Sequence, residues 1–163
     1  MLQEAYPLWP ALRPIARPAR RDDIPTLLGL AQEGIDNCLV PDTPIDRDHL
    51  AANWEKVFSR PDAFWHMVAE FEGELVGYTH GSLGGQWHTP RTMAYLCTMY
   101  IRENHRSAAL FGEMVESFVA WAKQVGAEAT WSCLTNGMTG PVLDRLWRRH
   151  GFHCVGTMYE RTV

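Results

Sequence analysis

Two spacings of apolar residues divide the chain: a recurrence every three or four positions, and short runs rich in β-branched and aromatic side chains. The clearest stripe is Leu110, Met114, Phe118 and Ala122, with Val115, Val119 and Val125 beside it. That period predicts a long helix with one core face, closed by Gly126. Directly before it, residues 93–101 read as a strand and 102–107 as a short polar turn. A strand that empties into a helix N-terminus leaves several backbone N–H groups unpaired at one spot, and the helix dipole adds partial positive charge there. Such a junction suits a phosphate-bearing nucleotide cofactor.

The same spacings place the other elements. Residues 15–20, flanked and interrupted by Pro14 and Pro18, suit an edge strand. Asp22 or Asp23 caps a helix with Pro25 in its first turn and Ile24, Leu27, Leu28 and Ala31 on one face. Gly34 is the expected stop. Residues 36–46 read as a loop, and a second helix runs from Asp46 or Arg47 to Phe58. A hairpin follows, with strands over 64–70 and 75–82 around a Glu72-Gly73 turn. Gly84 and Gly85 are expected to break the second strand, leaving 86–91 as a loop that carries Trp87 and His88. After the long helix come a strand over 129–134, a turn over 136–140, a short helix over 142–150 ended by Gly151, and a last strand over 152–160. Strands and helices mixed in this order predict an α/β sheet with helices on both faces. Residues 1–13 form an expected irregular arm, packed on the domain or on a partner subunit, and 14–163 the domain; a homodimer is possible.

Composition narrows the classes. The chain has 163 residues, 46% hydrophobic and 21% charged, with a net charge of -4. Length and composition fit one globular domain, and the charge gives no reason to expect nucleic acid as a partner. No apolar run approaches the roughly 20 residues of a membrane span, and the first residues lack a signal-peptide pattern. A soluble cytoplasmic protein is expected. Cys38, Cys97, Cys133 and Cys154 form no CxxC pair, so no metal site is expected. Cys97 and Cys133 read as buried thiols within strands.

Several words in the chain carry a resemblance. The opening IARPARRDDIPTLLGLA, the hairpin FEGELVGYTHGSL, the junction MYIRENHRSAALFGEMV and the closing WSCLTNGMTGPVLDRLWRRHGF occur in the order found in the GNAT superfamily of N-acetyltransferases. Over residues 14–161 the chain resembles a divergent member. The resemblance implies a mixed, mostly antiparallel sheet with a splayed central strand pair. It implies acetyl-CoA as co-substrate and an amine acceptor, on a small molecule or a protein, that attacks the thioester directly. A binding or structural module with little or no catalysis is the alternative.

Carried over residue by residue, the backbone of Met99, Tyr100 and Ile101 would pair with the pantetheine arm. Arg106 takes the basic position of the phosphate turn, and Ser107, Ala108, Ala109, Leu110 and Phe111 present its amides. Ala109 and Phe111 stand where the family has small residues, usually Gly, and Gly112 falls one residue late. Asn136 resembles the family's cofactor-contacting Asn. Trp147 occupies the position of a Tyr that protonates the departing thiolate, which leaves Tyr100, Ser132, Tyr159 and His150 as candidate acids. No carboxylate precedes Glu103 on the central strand, so His80 is the candidate base, a hydrogen-bonded sheet His being the other reading. Glu70 and His88 are further candidates with surface roles as alternatives. Arg148, Arg149 and His150 form a basic cluster that suits either a solvated helix end or the 3′-phosphate of CoA.

Overall fold

The computed structural model describes residues 13–37, 44–86, 88–132 and 140–155. Five strands form one sheet in the order β1-β2-β3-β4-β5: β1 is Ile15–Pro18, β2 Phe64–Phe71, β3 Glu74–Gln86, β4 Thr89–Ile101 and β5 Ala129–Ser132. Neighbours are antiparallel except β4 and β5, which run parallel from Met93↔Ala129 to Leu96↔Ser132. Helices α1 (Ile24–Asp36) and α2 (Arg47–Phe58) cover part of one face; α3 (Ala108–Gln124) covers the other, with α4 (Pro141–Arg149) beside it. The mixed, mostly antiparallel sheet expected from the sequence is present.

Each face carries its own core. Under α3, Met67, Ala69, Ala94, Leu96, Met99 and Ile101 meet Leu110, Met114, Val115, Phe118 and Ala122, the predicted stripe. Under α1 and α2, Val68, Leu75, Tyr78 and Tyr100 meet Leu27, Leu30, Ala31 and Trp54. Full burial of a side chain the size of Leu30 or Phe118 contributes about 1.5–3 kcal/mol. Arg17 ties β1 to the start of α1 and to β2 by ion pairs with Asp23 and Glu70. The hydrogen bond from Arg17 holds the Asp23 carboxyl below its ordinary pKa. Glu70, a candidate site residue in the sequence, is thereby a structural anchor.

Glycines account for most differences from the expected boundaries. Gly34 does not stop α1; it is buried within the helix, where a Cβ would lie 3.2 Å from the Tyr100 ring. Gly84 and Gly85 do not break β3, which continues to Gln86 and pairs with β4 from Thr89. A Cβ on Gly84 would meet the Tyr95 ring at 2.9 Å, so this glycine makes room for a cross-strand aromatic. The expected loop over 86–91 is therefore the tip of a long hairpin, with Trp87 outside the described residues. At the β2–β3 turn, Glu72 and Gly73 have φ of 50° and 84°, the pair of positive values of a type I′ hairpin.

Helices α3 and α4 end in the same way. Gly126 and Gly151 are left-handed, and the next residues return to the helix: Ala127 N–H to Ala122 C=O, Phe152 N–H to Trp147 C=O. The Phe152 ring then packs on Trp147 at 4.9 Å. The Gly151-Phe152 dipeptide is thus a helix cap with its hydrophobic contact. Residues 152–155 form no strand, unlike the expected last strand, and the rest of that expectation lies outside the described residues. The arm over 1–12 lies outside them as well. None of the described helices is long and apolar enough to cross a membrane.

Candidate functional site

A cleft of about 730 Å³ opens where β4 ends and α3 begins. The local sequence builds it. A short 3-10 turn, Glu103–His105, follows β4, and Ser107 then adopts extended backbone and caps α3 by accepting from Leu110 N–H. The cap leaves the first helical amides, Ala108 and Ala109, beyond the reach of intrahelical acceptors. Arg106 Nε donates to the Ile101 carbonyl at 2.8 Å, which fixes the side chain across the junction. Met99 and Ile101 form the floor, and Phe111 and α4 form the far wall.

The wall explains the unusual turn sequence. Phe111 is 5% exposed and packs edge-on against Trp147 at 4.9 Å. Ala109 is exposed and adds only a methyl group beside the amides. Gly112 serves helix packing: a Cβ there would lie 2.9 Å from the His150 ring, whose Nδ1 pairs with Glu116 at 2.6 Å. The bulk at position 111 goes between the helices and leaves Ala108 lining the cleft, while Ala109 is exposed and not part of the lining.

Charge in the cleft is of one sign. Among the described residues its lining includes Arg106, Arg145 and Arg149 and no carboxylate. None of the three arginines joins an ion pair among the described residues. Arg148 and His150 are occupied elsewhere, by Asp144 and Glu116. The basic cluster read in the sequence therefore splits. Consecutive helix residues do not share a face, whereas Val142, Arg145, Leu146 and Arg149 follow the i, i+3, i+4, i+7 pattern and all line the cleft. Arg145 was missed by reading neighbours along the chain; helical spacing identifies it.

The remaining candidates lie on the opposite face of the sheet or off the cleft. Tyr100 points under α1, where burial and then Glu33 raise its pKa, and Asn37 bonds its hydroxyl. Arg102 holds the Glu33 carboxyl below its ordinary pKa. His80, opposite Thr98 on β4, stacks at 4.4 Å on His66 of β2. Phe58 and Phe64 flank this pair at 5.6 and 6.0 Å. Burial lowers the pKa of both imidazoles, that of His66 to about 3, and the neighbouring ring adds to the effect on His66. Leu110 is buried in the core rather than lining the cleft. His88 is exposed. Asn136 and Tyr159 lie outside the described residues.

Beside His80 the sheet departs from regular pairing. His80 opposes Thr98 but Gly81 opposes Leu96, so Cys97 is the extra residue of a β-bulge. Its half-buried Sγ lies 3.4 Å from Ser82 Oγ. The described β4–β5 pairing ends at Leu96↔Ser132, next to this bulge. Beyond that point β4 carries Met99 and Ile101 into the cleft. The strand is thus lined by the arginine cleft on one face and by His80 on the other. No group of three or more His, Cys, Asp or Glu among the described residues could hold a metal ion.

Comparisons with known proteins agree with this architecture. Solved structures match nearly the whole chain at low identity. An integron cassette protein from the mobile metagenome of Cole Harbour Salt Marsh is 19% identical, with a TM-score of 0.71 over 91% of this chain and 89% of that one. The aminoglycoside N-acetyltransferase AAC(6')-Iy, in complex with CoA, is 16% identical, with a TM-score of 0.71 over 95% and 99%. A predicted acetyltransferase from Clostridium acetobutylicum, with acetyl-CoA, is 16% identical, with a TM-score of 0.68 over 91% and 96%. No curated protein matches the sequence. The profile of the acetyltransferase (GNAT) family matches residues 30–152, from α1 through the Schellman cap of α4. On that match, which spans β2 to β5, the arginine cleft and helices α2 to α4, the chain belongs to the GNAT family of acetyltransferases.

Proposed function

We propose that the protein is an acetyl-CoA-dependent N-acetyltransferase that transfers an acetyl group to an amine. The observation that carries this reading is the cleft at the α3 N-terminus, lined among the described residues by Arg106, Arg145 and Arg149 and by no carboxylate. CoA presents a diphosphate and a ribose phosphate, so its site needs several positive charges together. Arg106 and the amides of Ala108 and Ala109 suit the diphosphate, and Arg145 and Arg149 suit the remaining phosphate. The edge of β4 at Met99 and Ile101 suits the pantetheine arm, and Phe111 gives it an apolar wall. Tyr100 contributes its backbone to that edge, while its hydroxyl anchors α1.

Bound there, acetyl-CoA supplies an acetyl group activated as a thioester: the amine nitrogen forms the C–N bond, the C–S bond breaks, and the amine proton leaves to the thiolate or to water. An alkylammonium has a pKa near ~10, so the acceptor must lose a proton before it attacks. His80 is the candidate base. Burial lowers its pKa, which keeps the ring neutral and makes it a weaker base than a solvated imidazole. Trp147 favours the second reading, a binding module without catalysis: packed between Phe111 and Phe152, it has no acidic proton to give the thiolate. Thiol release from acetyl-CoA, followed with a disulfide reagent, separates the two. Release that depends on an added amine supports the enzyme. Acetyl-CoA binding with no release above hydrolysis for any amine supports the module.

A further inference from the structure

Between the buried Ile101 and the buried Leu110, Arg102 and His105 are partly buried and the other residues are exposed. The turn that carries Arg106 to the cleft therefore stands on two footholds. His105 packs its ring on Phe71 of β2 at 4.9 Å. Arg102 reaches further. Strand alternation sends Met99 and Ile101 to the cleft and puts Tyr100 and Arg102 on the opposite face. There the Arg102 guanidinium donates to both oxygens of Glu33 on α1, from Nε and Nη2 at 2.8 Å each, and its Nη1 donates to Glu74 at the start of β3. The Tyr100 hydroxyl bonds the same Glu33 carboxylate. Backbone bonds carry this foothold into the turn: Arg102 N–H donates to Val76 C=O, and Arg102 C=O accepts from His105 N–H.

We propose that Arg102 and Glu33 are positioning residues for the phosphate turn: their bidentate pair fixes, from the face opposite the cleft, the turn that presents Arg106 and the start of α3. The proposal rests on the acetyltransferase reading above, which supplies CoA as the ligand of that turn. Geometry favours positioning over charge. A planar fork with two parallel bonds fixes orientation as well as distance. The pair joins segments 69 residues apart in sequence, so the turn takes its place from α1 as well as from β4. Charge alone would work against the ligand, because Glu33 and Glu74 together outweigh Arg102 by one negative charge. A cluster acting only through its charge would weaken the binding of a polyanion. The Arg102 and Glu33 side chains are 32% and 40% exposed. An ion pair with that exposure adds little to global stability, so its removal tests the turn rather than the fold.

The test combines native-state hydrogen exchange with calorimetric titration of CoA, on wild type, Arg102→Lys and Glu33→Ala. Arg102→Lys keeps the charge and loses the fork. Glu33→Ala removes a negative charge, keeps a good helix former in α1 and loses the fork as well. In both variants exchange should quicken at the bonded turn amides, His105 and Arg106, with a smaller rise at Met114 and Phe118 in the core of α3. The Kd for CoA should rise roughly threefold to fivefold in both, the scale of one such pair. Tighter CoA binding by Glu33→Ala overturns the proposal and makes the pair an electrostatic feature. An equal rise of exchange at Met114 and Phe118 overturns it too, since that marks general loosening. Unaltered CoA affinity in both variants overturns the positioning role and leaves the cofactor cleft standing. No CoA binding by the wild type at millimolar concentration overturns both readings.

Discussion

Replacing His66 with Phe should remove much of the acid sensitivity of the fold between pH 7.5 and pH 5.0. His66 stacks between Phe58 and His80, and its Nε2 has no hydrogen-bond partner among the described residues. Burial therefore opposes its charged form, and its pKa falls from 6.5 to about 3. A group whose folded pKa is depressed binds protons more readily when unfolded, so stability is complete above pH 6.5 and falls as pH drops toward the folded pKa. At pH 5.0 the unfolded ring is about 1.5 pH units below its pKa while the folded ring is still neutral. At 1.36 kcal/mol per unit this costs about 2 kcal/mol. His80 shifts in the same direction and adds to the slope. The depressed carboxyls, Asp23 and Glu33, lose their stabilisation only below their ordinary values of 3.8 and 4.5, outside this window. Urea unfolding at both pH values measures the effect. Wild type should lose about 2 kcal/mol more than His66→Phe on going to pH 5.0. Equal losses in the two proteins would refute the neutral, buried imidazole.

Other substitutions test separate parts of the structure. Gly81→Ala places a Cβ 2.7 Å from the ring of Phe118, a fully buried side chain at the centre of the core. It should cost about 1–3 kcal/mol in urea unfolding, and a neutral result would mean that the ring moves freely. Glu72→Gly relieves a positive φ in the β2–β3 turn and should raise stability by roughly 0.5 kcal/mol or slightly more; a lower urea midpoint would contradict the type I′ assignment. Arg149→Ala should weaken CoA binding about tenfold, the scale of one charge-assisted contact, while Arg148→Ala, whose partner is Asp144, should leave it unchanged. Equal effects of the two on calorimetric affinity would mean that helical phase does not decide which arginine reaches the ligand.

Periodicity made α3 legible because one apolar stripe had a single core to face. The hairpin and the order of elements from β1 to α4 followed from periodicity and local turn chemistry. Glycine was harder to read, since one residue type meets several demands. Gly126 and Gly151 end helices through positive φ, as expected for a C-terminal cap. Gly34 and Gly84 stand where an aromatic ring from another strand approaches, and that ring is distant in sequence. The site showed the same division. Arg106 was legible from its place at a strand-to-helix junction, whereas Arg145 required reading α4 by helical spacing from Arg149 rather than by chain neighbours. The His66–His80 stack and the Cys97 bulge depend on cross-strand register, which no local pattern carries. Phe111 departed from the family's small residue, and its place between α3 and α4 emerged only with Trp147 and His150 around it.

Calorimetric titration of the wild type and Arg106→Glu with CoA bears most directly on the arginine cleft as the acetyl-CoA site. Arg106 is exposed and its hydrogen bond goes only to the Ile101 carbonyl, so the variant should keep its fold with a loss of about 0.5–1.5 kcal/mol. The wild type should bind one CoA per chain with a Kd in the micromolar range, and the variant at least tenfold more weakly, since a carboxylate then faces the phosphates. No heat with wild type at millimolar CoA, or equal affinity in both proteins, would contradict the assignment.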